Sequence, residues 1–206
     1  MKRLIVALLV VLVSNISLAQ SAEKTIDNFI DFISKNKITE IHFTCEIIND
    51  EAASINNMNG ILFIDTANFY LQIENLIMID NGKETINFYS DINEVTIFNN
   101  EEDDEDIVNP FSLIFNYKDH FDISISSTFQ SMVTIDFKPK KDDLLINLQI
   151  TLNNKTNHVS SLSVIDSNNT EYEYIITKFI PNTNKDKTIF EFKEENFPEA
   201  TIIDMR

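Results

Sequence analysis

Three histidines, one cysteine and 33 carboxylates are the residues of this 206-residue chain whose types could do acid–base, nucleophilic or metal chemistry. Their spacing does not assemble any of it. His42, His120 and His158 are scattered, and none has a second histidine three or four residues away. Each reads as a polar strand or loop residue rather than a ligand or a base. The chain has no Gly-x-Ser-x-Gly elbow and no His-Glu-x-x-His pair. With only Gly60 and Gly82, it also has no glycine-rich phosphate loop or dinucleotide fingerprint. Glu101 to Asp106 forms a block of six carboxylates. Such a block attracts any divalent ion weakly, but it lacks the interleaved spacing and turn glycine of a dedicated calcium loop. A solvated acidic loop or a docking patch is the expected role. Asn154-Lys155-Thr156 and Asn168-Asn169-Thr170 match glycosylation sequons, which arise by chance in a chain this rich in asparagine. The expectation is no enzyme, no metal and no cofactor.

The chemistry that remains is apolar. Sixteen phenylalanines and no tryptophan supply large hydrophobic area without a polar atom to satisfy. Cys45 falls among the alternating Ile41, Phe43 and Ile47, as a small core residue would. A single cysteine excludes an internal disulfide.

The elements that must position this apolar material begin after an address. Lys2 and Arg3 precede ten apolar residues, Leu4 to Val13, and the stretch ends Ser17-Leu18-Ala19. That pattern is a signal peptide, residues 1–19, cleaved after Ala19. Ten residues rise about 15 Å as a helix, half a bilayer core, so stable membrane insertion is not expected. No cysteine stands at the cleavage site to take a lipid anchor. Residues 20–206 are long enough for one well-formed core and short for two. Removing Lys2 and Arg3 leaves 14 basic against 33 acidic side chains, a net charge of −19. That surface repels phosphate backbones, so nucleic-acid binding is excluded.

Ala22 to Asn36 reads as an amphipathic helix, with Ile26, Phe29, Ile30 and Ile33 on one stripe. From Ile38 the period switches to two. Alternation recurs through Ile41–Ile47, Ile61–Ile64, Phe69–Glu74, Leu76–Ile79, Ile86/Phe88 and Val95/Ile97. It resumes at Phe121–Ser126, Val133–Phe137, Leu144–Leu152, Tyr172–Phe179 and Ile189–Phe192. Asp80-Asn81-Gly82-Lys83 is the strongest hairpin signal. Asn153–Asn157 and Asp166–Thr170 look like turns. Ten or eleven strands with short connections and no βαβ rhythm predict a mainly β, antiparallel fold. Asn109-Pro110 opens a short helix through Tyr117 whose Phe111, Leu113, Ile114, Phe115 and Tyr117 cover nearly its whole circumference.

In this order the segments resemble the family of LolA, the periplasmic outer-membrane lipoprotein carrier. The residues that carry the likeness are the leading helix, Ile41-x-Phe43, Gly60-x-Leu62, Asp80-Asn81-Gly82-Lys83 with Ile86-Asn87-Phe88-Tyr89, Asn93-Glu94-Val95 and Asn109-Pro110-Phe111. Phe190-Glu191-Phe192, Pro198 and Ile202-Ile203-Asp204 resemble the family's ending. The resemblance implies a single domain: a strongly curved antiparallel sheet forming a half-open barrel, with an N-terminal helix and a lid helix. It further implies a monomeric periplasmic carrier whose partners are acylated lipoproteins and the inner-membrane lipoprotein-releasing transporter. The candidate cavity is lined by Phe69, Leu71, Ile73, Ile86, Phe88, Val95 and Ile97, and the lid is the 109–117 helix. Residue parity leaves open whether these seven line a cavity or fill a dry core. The family's basic residue before a proline is replaced here by Asp65-Thr66-Ala67, its next-strand arginine by Tyr70, and its tryptophan by Ile86. No lid-latching residue is carried over. Two other readings stay open: a lipid- or hydrophobe-binding module on the same fold outside lipoprotein sorting, and a structural β protein with a filled core.

Overall fold

The computed structural model describes residues 21–48, 56–66, 68–100, 110–141 and 145–206. The expected signal peptide, the acidic block, Asn109 and Leu144 lie outside them. Helix α1 occupies residues 21–35, where Ala22, Ile26, Phe29 and Ile33 are fully buried along one stripe. Asn36 ends it by donating its side-chain amide to the Phe32 carbonyl, 2.6 Å away.

A first run of strands follows: β1 (Thr39–Ile48), β2 (Asn56–Ile64), β3 (Phe69–Ile73), β4 (Leu76–Asp80), β5 (Glu84–Tyr89) and β6 (Glu94–Asn99). Two short helices, α2 (Pro110–Phe115) and α3 (Tyr117–His120), lead into the second run. That run comprises β7 (Phe121–Phe129), β8 (Met132–Pro139), β9 (Leu145–Asn153), β10 (His158–Asp166) and β11 (Glu171–Ile180). Single 3-10 turns at Lys187–Phe190 and Glu194–Asn196 precede β12 (Thr201–Asp204).

All twelve strands form one sheet in the order β12-β6-β5-β4-β3-β2-β1-β11-β10-β9-β8-β7. Each run is an antiparallel meander, and the two are joined side by side where β1 pairs with β11. Strand twist accumulates across so many strands, and a sheet of this width curls rather than lying flat. The result is a curved, open sheet whose edges β12 and β7 do not meet. β6 lies one strand in from one edge and β7 forms the other, and the chain between them carries α2 and α3 onto the main core.

Turn chemistry holds the meanders in register. Asn93, Asn157, Asn169 and Asn182 take positive φ at connections, the conformation that asparagine tolerates best among non-glycine residues. At the β4–β5 turn Gly82 has φ 81° and donates its N–H to the Asp80 carboxylate at 2.7 Å. Gly60 has another role. It sits opposite Phe43 across the β1–β2 ladder, and a Cβ there would come within 2.2 Å of the Phe43 ring. That ring packs edge-on to Tyr174, with centroids 5.5 Å apart, in the main core. Gly60→Ala is expected to destabilise the fold by about 1–3 kcal/mol through overpacking, read as a lower urea midpoint with an unchanged slope.

Twelve strands stand where ten or eleven were expected. The two that alternation did not bring out are β10 and β12, and the Ile189–Phe192 strand is instead the 3-10 turn Lys187–Phe190. Asp186 caps that turn by accepting the Thr188 N–H at 2.9 Å, and Phe190 plugs into the sheet. β12 pairs parallel with β6, the one departure from antiparallel pairing, because the C-terminal chain reaches β6 by running over the sheet. In β9 a register shift opposite Ile165 and Asp166 turns Ile146 outward, 48% exposed, and buries Leu145 in its place.

Candidate functional site

The sheet has an inner face, covered by α1, α2 and α3, and an outer face. Antiparallel pairing places directly opposed side chains on the same face, so the register assigns every strand. Ile64 opposes Phe69, Leu62 opposes Leu71 and Gly60 opposes Ile73. Phe69, Leu71 and Ile73 therefore face inward, where they join the main core with Ile41, Phe43, Ile135, Phe137, Leu148 and the helix stripe.

Ile86, Phe88, Val95 and Ile97 do not share that face. Met78, inward with Leu71, opposes Asn87, whereas Ile79 opposes Ile86, and Ile86 opposes Ile97. The four residues expected in the cavity thus lie on the outer face of β5 and β6. There they pack with Ile79 under Phe192, Phe197, Ala200 and Ile202 of the C-terminal chain. Phe197 stands 4.7 Å from Phe88 between ring centroids and stacks on Phe192 at 5.6 Å. They are sealed by the protein's own tail. The cause is loop length. The β3–β4 and β4–β5 connections both leave an even number of residues between opposed pairs. Inward positions are therefore odd-numbered on β3, even-numbered on β4 and odd-numbered again on β5, which turns Ile86 and Phe88 outward.

The lid residues do come together on the inner face. Phe111, Ile114 and Tyr117 are buried in the main core, and Leu113 and Phe115 pack half-buried against it. The expected single helix is broken at Asn116, whose backbone (φ −107°, ψ 23°) leaves helical geometry between α2 and α3. Tyr117 and Phe121 both set their rings edge-on to Phe137, at 6.1 and 5.9 Å. A polar tie then joins this segment to α1. The Tyr117 hydroxyl donates to Asp27 Oδ1 at 3.0 Å, and Lys118 Nζ donates to Asp27 Oδ2 at 3.1 Å. Burial and the Asp27 carboxylate push the Tyr117 phenol well above its usual range, keeping it a donor. Asp27 was invisible to sequence reasoning, because its partners lie ninety residues downstream and no local spacing links them.

At the Phe115 end of α2 lies a cavity of about 220 Å³. Ile64, Phe69 and Phe115 form its apolar side. Asp65, Thr66, Asn68, Asp80, Asn100 and Asn116 form its polar side, with Gly82 at the β4–β5 turn.

Of the remaining reactive groups, His42 and His158 have partners, His120 is exposed beside the Phe121 ring, and Cys45 is buried. His42 Nε2 lies 2.6 Å from Glu40 Oε1, and this hydrogen bond, aided by Thr183, holds the Glu40 carboxyl below its usual range. His158 stacks on Phe179 at 4.7 Å. Among the described residues no group of three His, Cys, Asp or Glu side chains is placed to hold a metal ion. Cys45 is 1% exposed, and burial pushes its thiol up to about 11. Iodoacetamide at pH 8 is expected to leave Cys45 unlabelled in the native protein and to label it fully in urea, by intact-mass spectrometry.

The profile of the outer membrane lipoprotein carrier protein LolA matches residues 34–193, from the end of α1 to the start of the C-terminal cover. The chain belongs to the LolA family. The family is that of an outer membrane lipoprotein carrier protein. Among solved structures, an uncharacterized conserved protein from Thermus thermophilus superposes with a TM-score of 0.56 at 10% identity, covering 86% of this chain and 98% of that one. A putative outer membrane lipoprotein-sorting protein domain from Vibrio parahaemolyticus gives 0.49 at 6% identity, covering 87% and 99%. A LolA superfamily protein from Nitrosomonas europaea gives 0.49 at 5% identity, covering 84% and 98%. No curated protein sequence matches the chain. Against the LolA frame, the glycine of Gly60-x-Leu62 has a local cause, the Phe43 ring above it. Among the described residues no helix is long and apolar enough to cross a membrane.

Proposed function

We propose that this LolA-family chain carries acylated lipoproteins through the periplasm, after removal of residues 1–19, holding their acyl chains between the inner face of the sheet and its helical roof. The observation that carries the reading is the roof itself. One short apolar segment lies against the inner face of the sheet, buries Phe111, Ile114 and Tyr117, and is fastened to α1 through Asp27. Releasing that one tie and swinging α2 outward exposes Phe69, Leu71 and Ile73 together with the core beneath.

The energetics suit a gated host. Each buried methylene is worth about 0.8 kcal/mol, so a sixteen-carbon chain brings roughly 12 kcal/mol of transfer free energy. That is ample to displace a roof of three buried side chains, each worth about 1.5–3 kcal/mol. The 220 Å³ cavity lies below the roughly 300–1,000 Å³ typical of pockets for drug-sized ligands. Loading the carrier therefore requires α2 to move, and hydrocarbon takes the place of Phe111 and Ile114 against the sheet. The net charge of −19 over residues 20–206 keeps such a complex in water and away from anionic lipid headgroups. By family, the donor of cargo is the inner-membrane lipoprotein-releasing transporter.

A fluorescent sixteen-carbon acyl probe is expected to bind saturably at one site per monomer. Mass spectrometry of material extracted from the protein purified out of the periplasm identifies the cargo. Acylated lipoprotein supports lipoprotein sorting, and free lipid would move the protein to hydrophobe binding on the same fold. A probe titration without saturation, from a protein that extracts clean, would leave only a structural β protein.

A further inference from the structure

The inner face is apolar along β1–β4 and β8–β11 and changes character at β4–β6. Asp80 opposes both Phe69 and Thr85, so its carboxylate faces inward beside an aromatic ring. Thr85 donates to Asn100 at 2.8 Å, and Asn100 donates in turn to Asp80 at 3.2 Å. Two residues further along β5, about 7 Å away, Asn87 faces the same way, opposed by Met78 and Thr96. Its Oδ1 is buried and accepts no hydrogen bond among the described residues, and the neighbouring Thr96 is 7% exposed. Asp80 accepts from Gly82, Asn100 and Thr85, all neutral donors, and no cation pairs with it among the described residues.

Asp80 and Asn100 of this quadrant line the cavity, where they meet Phe69, Phe115 and Asn116, and Asn87 lies one inward position beyond that lining. We infer that it is a head-group subsite: it takes the N–H-donating, ammonium-bearing head of an amphiphile whose tail lies under α2. The chemistry is one-sided. The Asp80 carboxyl at the cavity wall has only neutral donors, so a cationic donor is the group that complements it. An anionic head would meet Asp80 at the cavity wall, where Asp65 is already paired with Lys187 at 3.3 Å. The inference rests on the carrier reading and sharpens it, by naming the end of the cargo that is recognised.

The test displaces the fluorescent acyl probe from the mature protein with three twelve-carbon amphiphiles below their micelle thresholds: dodecylammonium, dodecyltrimethylammonium and dodecyl sulfate. Dodecylammonium is expected to act at a concentration at least ten-fold below dodecyl sulfate and at least three-fold below the trimethyl form, which has charge but no donor. Asp80→Asn, which retains the Gly82 acceptor, should shrink the preference over sulfate to under three-fold. Glu173→Gln, on the outer face opposite Glu46, should leave both preferences intact. Equal displacement by all three heads, or a preference that Asp80→Asn does not touch, overturns the subsite while the carrier reading stands. A probe that does not bind at all removes both.

Discussion

Removing residues 187–206 is expected to take away about 4–8 kcal/mol of stability and to leave a protein that self-associates. The segment carries Phe190, buried under Phe63, and the half-buried Phe192, Phe197 and Ile202 over Ile86, Phe88, Val95 and Ile97. Four such side chains at about 1–2 kcal/mol each for partial burial give that figure. It compares with a total of about 5–15 kcal/mol for a domain. The loss has a second part. β12 pairs with β6, and Arg206 reaches back to Glu84 at 2.6 Å while holding the Asp204 carboxyl down at about 2. Without β12, β6 becomes a bare edge beside an uncovered apolar patch, the combination that templates aggregation. Size-exclusion chromatography and a urea titration read both effects. A truncated chain that stays monomeric, with its midpoint unmoved, would mean the outer cluster is not structural and would reopen Ile86, Phe88, Val95 and Ile97 as ligand contacts. The companion substitution Ile97→Ala should cost about 2–5 kcal/mol and leave the probe affinity of the folded protein unchanged.

The second large effect concerns the roof. Phe115→Asp should weaken probe binding by ten-fold or more, mainly through faster release, with the far-ultraviolet spectrum preserved. Phe115 is half-buried, lines the cavity and packs on the main core, so the substitution touches the roof and not the sheet. Two terms act together. The ring's contact with a bound tail is lost, about 1.5–3 kcal/mol if that contact is complete. A carboxylate must also lose water whenever the roof closes over hydrocarbon. Either term alone exceeds the roughly 1.4 kcal/mol that a ten-fold change requires. Tyr117→Phe gives the contrasting outcome. It deletes the hydrogen bond to Asp27 but keeps the ring against Phe137. Loading and release should then both quicken, by about five-fold for roughly 1 kcal/mol at a half-exposed carboxylate, with little change in equilibrium affinity. If Phe115→Asp binds the probe as tightly as the native protein, α2 is not the gate.

Much of this architecture was legible from residues in order. The stripe Ile26, Phe29 and Ile33 is the buried face of α1, and the alternation of Ile41, Phe43 and Cys45 is the inner face of β1. Pro110 opens α2, and the Asp80-Asn81-Gly82-Lys83 turn closes β4 onto β5. These are local signals, set by periodicity and turn chemistry within ten residues. The signals that failed were those decided elsewhere. Val159, Leu162 and Val164 of β10 do not alternate cleanly, because a register shift between Val159 and Ser161 changes the step. Ile189 and Phe190 look like a strand, yet they wind into a 3-10 turn capped by Asp186.

The amino-acid order by itself determined ten of the twelve strands, the helix at residues 21–35 and the start of the helix at Pro110, and to which family the chain belongs. Only the tertiary structure decided which apolar rows look inward. Alternation within a strand separates its two faces but does not label them. The label comes from the number of residues in each loop and from the register across it. For that reason Phe69 and Ile86, apolar alike and two hairpins apart, end on opposite sides of one sheet. The same holds for the tie between Asp27 and Tyr117 and for the orphaned Asn87 oxygen. Both are meetings of residues far apart in the chain, created when the sheet curls and the segment carrying α2 and α3 is drawn over it.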